Sequence, residues 1–139
     1  MTVKFTVLGQ PVGKGRPRFS RRGPNVVTFT PEETVNYETL IRTEYRLQCG
    51  NTKFSDDAML DMRVFAFYAI PASKSKKKQA AMLSGAIRPA KVPDADNILK
   101  AASDALNGIA YKDDRQIVDA QVRKFYSRNP RLEVTIQRI

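Results

Sequence analysis

The sequence predicts an α+β fold: a mostly antiparallel or mixed sheet packed with two longer helices and one short helix. Three observations carry this. Segments near 2–8, 59–68 and 132–137 alternate apolar and polar residues with the period of a half-buried strand. Stretches near 31–47 and 94–107 repeat apolar residues at helical spacing between start and stop signals. At 139 residues the chain suits one domain, residues 1–139, with room for a sizeable core.

Val3, Phe5 and Val7 alternate with Thr2, Lys4 and Thr6 in the first strand. Gly9 to Pro17 then breaks regular structure and supplies Lys14 and Arg16, with Arg18 just beyond. Its Gly-Lys-Gly lacks the Lys-Ser/Thr ending of a phosphate loop. It reads as a basic loop able to reach a nucleic-acid backbone, a solvated loop carrying similar weight when taken alone. Ser20 to Pro24 extends the flexible basic region, and Val26–Phe29 reads as a short strand. Thr30-Pro31-Glu32-Glu33 opens a helix with a hydroxyl cap, proline at the first position and acidic residues beside the positive dipole end. Val35, Leu40, Ile41 and Tyr45, with Tyr37, carry it to about Leu47.

From Met59 to Tyr68, Leu60, Met62, Val64 and Ala66 share one strand face. Phe65 and Phe67 point the other way, toward a second covered face or a dimer contact. Beyond Pro71 lie Lys74, Lys76, Lys77 and Lys78, leading into a short helix near 73–83 that Ser73 or Ser75 caps. Gly85 to Pro93 is a loop bearing Arg88 and Lys91. Gln116 to Tyr126 alternates without one clean face, leaving room for a bulge. Asn129–Pro130 forms a turn before Leu132, Val134 and Ile136, so the last two strands read as a C-terminal hairpin.

Charge narrows the function. With 24 Lys and Arg against 14 Asp and Glu, the net charge is +10, which favours a polyanionic partner. No stretch has the apolar length to span a bilayer, and no signal core opens the chain. The single cysteine, Cys49, cannot form an internal disulfide and fits a cytoplasmic location. The absence of histidine excludes His-based triads, His general bases and His–Cys zinc sites. Hydrolytic chemistry would have to run on carboxylates, lysine, hydroxyls and a metal.

The stretch from Lys91 to Val118 gathers such groups. Asp94 and Asp96 flank one small residue, and Asp113–Asp114 close the segment. Between them a helix starts at Pro93–Asp94 and stops at Asn107–Gly108. Ile98, Leu99, Ala102, Ala105 and Leu106 form its apolar stripe. Asp96, Lys100, Ser103, Asp104 and Asn107 form the other side, with Lys100 spaced i,i+4 from both Asp96 and Asp104. Asp94 alone reads as a helix cap. The set reads as a site for a hard cation such as Mg²⁺, which takes oxygen ligands and neutralises charge building on a phosphodiester.

These residues carry a family resemblance. PDADNILKAASDALNGIAYKDDRQI resembles the signature of the RusA family of Holliday junction resolvases: Asp-x-Asp-Asn-x-x-Lys, then Asp-Ala-Leu, then Asp-Asp-x-Gln-Ile/Val. The N-terminal GQPVGKGRPR resembles that family's basic first loop. The resemblance implies a small dimeric Mg²⁺-dependent endonuclease that cuts four-way DNA junctions symmetrically, in recombination and repair. Asp94, Asp96 and Asp114 match its acidic catalytic positions, and Lys100 matches its essential lysine. Asn97 matches the motif asparagine. Asp94, Asp96 and Asp114 would then hold Mg²⁺, with Lys100 at the scissile phosphate. Lys14, Arg16, Arg18, Lys74, Lys76, Lys77, Lys78, Lys91 and Asn97 would contact DNA. Two rivals stay open: a Mg²⁺-dependent nuclease for other branched or single-stranded DNA, and a catalytically silent basic DNA-binding module.

Overall fold

The computed structural model describes residues 1–15, 18–22, 25–29 and 32–139, the two short segments as backbone. Arg16 and the Thr30–Pro31 start signal lie outside the described residues, as does the side chain of Arg18.

Strand β1 (Thr2–Leu8) buries Val3, Phe5 and Val7, as its alternation predicts. Strands β2 (Arg18–Arg22) and β3 (Asn25–Phe29) pair antiparallel as a separate ribbon. Ser20–Arg22, expected in a loop, therefore belongs to a strand. Ladder pairing is made by backbone, and RFSRR offers too little apolar alternation to announce it. Helix α1 (Glu32–Cys49) runs past Leu47 and turns inward Thr34, Tyr37, Ile41 and Tyr45, a stripe at i, i+3, i+7, i+11. Val35 and Leu40, expected to support this helix, are on its exposed side.

Strand β4 (Leu60–Ala69) buries Leu60, Met62, Val64, Ala66 and Tyr68 on one face. Helix α2 (Lys76–Ser84) begins at Ser75, whose Oγ accepts from the Lys78 N–H at 3.3 Å, and ends at Gly85 in the left-handed region. Helix α3 (Ala95–Ala105) is followed by one 3₁₀ turn (Asp114–Gln116), then β5 (Ile117–Ser127) and β6 (Arg131–Arg138).

The sheet order is β1-β6-β4-β5, with β4 antiparallel to β6 and parallel to β5. The expected C-terminal hairpin is thus absent: β4 lies between the two strands. The four Cα steps from Ser127 to Arg131 reach roughly 13 Å, enough to straddle two strand spacings of about 4.8 Å each. Strand β4 takes the inner place with its core face buried and its far face half-buried. On the far face Phe125 stacks on Phe67 and meets Phe65 edge-on. Arg131 lies 3.9 Å over Phe67 and Arg88 4.4 Å over Phe125. Phe65 and Phe67 do face away from the core, and this chain itself supplies part of their cover. The bulge falls at Val118, the extra residue between the pairs Leu60–Ile117 and Asp61–Asp119.

Helices α1 and α3 pack together over the core face. In α3 the buried side is Ile98, Ala101, Ala102, Ser103 and Ala105. Ser103, expected on the polar side, is buried, and its carbonyl accepts from the buried Tyr111 hydroxyl at 2.6 Å.

Candidate active site

Asp94 occupies the N-cap position of α3 in extended backbone, yet its side chain makes no capping hydrogen bond. Its carboxylate is exposed and uncommitted within the helix, so capping does not account for it. Asp96, in the first turn, is exposed and forms no ion pair among the described residues. The loop leading to Asp94 is pinned from the sheet. The Tyr68 hydroxyl donates to the Pro93 carbonyl at 2.6 Å, and Lys124 Nζ donates to the Lys91 carbonyl at 2.6 Å. Arg88 Nε donates to the Lys124 carbonyl at 2.8 Å. The Lys91 ammonium lies 5.5 Å over the Tyr126 ring.

The Gly13–Lys14–Gly15 loop docks on the same end of α3. A Cβ on Gly13 would stand 2.8 Å from Pro93 Cβ and 3.0 Å from Asn97 Cβ, so only glycine lets the backbones approach this closely. The Lys14 N–H donates to the Asn97 carbonyl at 2.9 Å, and the Gly15 N–H donates to Thr34 Oγ1 at 2.8 Å. A hollow of about 400 Å³ opens here, lined by Gln10, Gly13, Lys14, Glu33, Asp94 and Asn97 among others.

Lys14, expected to reach toward DNA, turns its ammonium inward. It meets Glu38 Oε1 at 2.5 Å and Asp104 Oδ2 at 3.5 Å. Burial alone would lower its pKa; the hydrogen bond and charge of Glu38, then Asp104, outweigh that and hold it above the ordinary lysine value. Lys100 also approaches Asp104 Oδ2, at 3.4 Å, while its side chain stays 61 % exposed. Of the two i,i+4 pairs open to Lys100, the one with Asp104 forms. Asp104 is thus the member of the site that sequence reasoning undervalued; its spacing from Lys100 was the available signal.

The closing acidic pair divides its work. Asp113 caps the 3₁₀ turn: its side chain accepts from the Arg115 N–H at 3.0 Å, while Gln116 Oε1 reaches back to the Asp113 N–H at 3.2 Å. The Gln116 amide nitrogen donates to the Ser55 and Ala58 carbonyls, tying the turn to the loop that leads into β4. The bond from Arg115 lowers the Asp113 pKa. Asp114 goes the other way. Burial, then the neighbouring carboxyls of Asp113 and Asp104, push it above the ordinary carboxylate range. Its backbone N–H donates to Asn107 Oδ1 at 2.8 Å, and a hollow of about 210 Å³ lies beside it, lined by Leu99, Ser103, Ile117 and Ala120.

Asp94 and Asp104 are ten residues apart on one helix, roughly 15 Å along its axis. Among the described residues no three acidic, cysteine or histidine side chains converge closely enough to hold an ion together. Asp94, Asp96 and Asp114 are therefore not gathered into one three-ligand cluster in this arrangement. The donor chemistry still fits a hard cation: oxygen ligands only, an uncommitted Asp94, and an Asp114 crowded by other carboxyls. Mg²⁺ takes one or two carboxylates and fills its shell with water and phosphate oxygens. Away from this strip, Lys74, Lys76, Lys77 and Lys78 are all exposed at the start of α2, with no acidic residue in its first turn.

No helix among the described residues is long and apolar enough to cross a membrane. The chain is 39% identical over 140 residues to an uncharacterized Bacillus subtilis (strain 168) protein, YqaN, covering 99% of this chain and 96% of that one. The family model for endodeoxyribonuclease RusA matches residues 9–137, which takes in the docked Gly-Lys-Gly loop, helix α3 and the acidic pair. By that match across nearly its whole length, the chain belongs to the RusA endodeoxyribonuclease family.

Proposed function

We propose that this nuclease is a Mg²⁺-dependent Holliday junction resolvase that makes paired symmetric cuts in four-way DNA as a homodimer. One observation carries the reading beyond the family: Asp94 stands at the cap position of α3 without capping it, on the same helix that presents the exposed Lys100, and Asp114 follows its capping neighbour Asp113 past the helix end. A purely structural acidic cluster would be spent on caps and ion pairs, which weighs against the silent DNA-binding module.

Asp94, Asp96 and Asp114 would hold the ion, which supplies charge neutralisation at the phosphodiester and a more acidic bound water. Lys100, on its flexible stem, reaches the scissile phosphate and stabilises the charge that develops there. The exposed lysines of α2, together with Arg16, Arg18, Lys91 and Asn97, bind the phosphate backbone and hold the junction in register. Lysines at the positive end of a helix dipole are unfavourable there without an acidic neighbour, so a polyanion is the partner that suits them. A two-fold pair of such sites suits the two-fold pair of strands in a junction.

Cleavage of four-way, three-way, flap, duplex and single-stranded DNA, with Mg²⁺ and with chelator, tests this. Paired cuts across the four-way junction that require Mg²⁺ are expected. Equal cutting of flaps or single strands would instead assign a broader branched-DNA nuclease, and cutting in chelator would remove the metal. Sedimentation of the free protein tests the dimer.

A further inference from the structure

We infer that Lys14 is a positioning residue for Lys100, not a DNA contact: its ammonium neutralises Asp104 so that Lys100 can leave that carboxylate for phosphate. This rests on the proposed role of Lys100.

Both lysines converge on the same oxygen, Asp104 Oδ2, at 3.5 Å and 3.4 Å. They differ in freedom. The Lys14 side chain is 18 % exposed, and the loop backbone is held from two sides, the Lys14 N–H by the Asn97 carbonyl on α3 and the Gly15 N–H by Thr34 on α1. Glu38 grips the same ammonium. Lys100 has one carboxylate partner among the described residues and a side chain that is 61 % exposed. Two ammonium groups sharing one oxygen repel each other, and each weakens the other's hold on the carboxylate. The clamped one stays; the exposed one is released when a phosphate competes. Without Lys14, Asp104 keeps Lys100 as its cation among the described residues, at a carboxylate only 20 % exposed where attraction is less screened. Lys100 would then sit on Asp104 instead of on substrate.

The geometry also accounts for the loop's composition. Gly13 permits the close approach that aims Lys14 between α1 and α3, and the loop spends its backbone donors on those helices. A lysine meant for DNA would not need to be carried inward in this way.

The test uses the full-length protein and a synthetic four-way junction. For Lys14→Met, single-turnover cleavage at saturating enzyme should fall on the order of tenfold or more, the scale of a misplaced catalytic group. The salt dependence of junction binding, measured without Mg²⁺, should keep its wild-type slope. Adding Asp104→Asn to Lys14→Met should restore most of the missing rate, because Lys100 is released again, and Lys14→Arg should cut normally. A merely structural Lys14 would give no such rescue. The inference is overturned if Lys14→Met cuts at the wild-type rate, if the double variant is no faster than the single, or if the salt slope falls by about one unit, the mark of one phosphate no longer neutralised. Should Lys14→Met fail to fold, Lys14→Gln removes the charge while keeping a donor for Glu38 and carries the same comparison. Lys100→Ala run alongside separates the two claims. Normal cutting by Lys100→Ala removes the role of Lys100 itself, whereas slow cutting by Lys100→Ala with Lys14→Met unaffected removes only this inference.

Discussion

Asn107 Oδ1 accepts the backbone N–H of Asp114 at 2.8 Å, and this bond ties the closing acidic pair to the end of helix α3. The loop between them is held from beneath by Tyr111, whose hydroxyl reaches the Ser103 carbonyl, and by the Phe54 N–H, which donates to the Ala110 carbonyl at 2.8 Å. Two aspartates adjacent in sequence consequently meet different surroundings: one turned onto the backbone of the 3₁₀ turn, the other toward Asp104.

Asp113 and Asp114 should separate cleanly on substitution. Asparagine caps as well as aspartate, so Asp113→Asn should keep both fold and cleavage, while Asp113→Ala should lower the melting temperature. Asp114→Asn should abolish Mg²⁺-dependent cleavage and leave junction binding intact or tighter, since a negative charge facing phosphate is gone. Thermal melts and cleavage on the same preparations check this. Full-rate cutting by Asp114→Asn would remove it from the site.

Lys100→Ala should fold normally, because an exposed helical ion pair contributes only about 0.3–0.5 kcal/mol. Its junction cleavage should slow by roughly a hundredfold or more if the ammonium stabilises the transition state. Lys100→Arg keeps the charge with a different shape and reach, and should rescue only part of the rate. Single-turnover kinetics isolate the cutting step from binding. A near-normal rate for the alanine variant would reduce Lys100 to a partner of Asp104.

Replacing Lys74, Lys76, Lys77 and Lys78 by glutamine should weaken binding to junctions of any sequence. The plot of log affinity against log salt should flatten by about one unit for each phosphate that the lysines no longer neutralise. An unchanged slope would make these lysines a solvated face of α2.

Lys14 supplies a pH dependence with a definite sign. Its folded pKa lies above the ordinary 10.5 because Glu38 and Asp104 outweigh burial. A raised pKa on a cation stabilises the fold fully below the unfolded value and loses that contribution as pH climbs through the folded value. The stability gap between wild type and Lys14→Met should therefore hold steady from about pH 7 to 10 and shrink above that. Taking the difference cancels the buried tyrosines Tyr37 and Tyr45, pushed up to about 12. Urea melts across this range measure it, and a gap that widens in alkali would contradict the pairing.

Local pattern was enough for most elements. Alternation in Val3-Phe5-Val7 and in Leu60 to Tyr68 defines strands because a half-buried sheet repeats every two residues. Ser75 and Gly85 bound α2 because caps and left-handed turns demand particular residues, whereas α3 ends at Leu106, two residues short of the expected stop at Gly108. The spacing Asp94-x-Asp96-x-x-x-Lys100 on one helix, with Asp114 beyond it, marks the strip of chemistry without any knowledge of the fold.

What the chain could not announce locally was decided by packing between distant segments. Strand β4, its core face buried and its far face partly covered, takes the place between β5 and β6, and a three-residue connection is long enough to cross it, so turn residues at Asn129–Pro130 do not make a hairpin. Ser103 is buried where the hydroxyl of Tyr111, eight residues on, bonds to its carbonyl. Asp104 joins the site, and Lys14 turns from the surface toward it, only because α1 and α3 pack side by side with Gly13 pressed against Pro93 and Asn97. Sequence spacing sets which side chains share a face of one element; whether two elements bring those faces within about 4 Å depends on the sum of many apolar contacts, which no local pattern encodes.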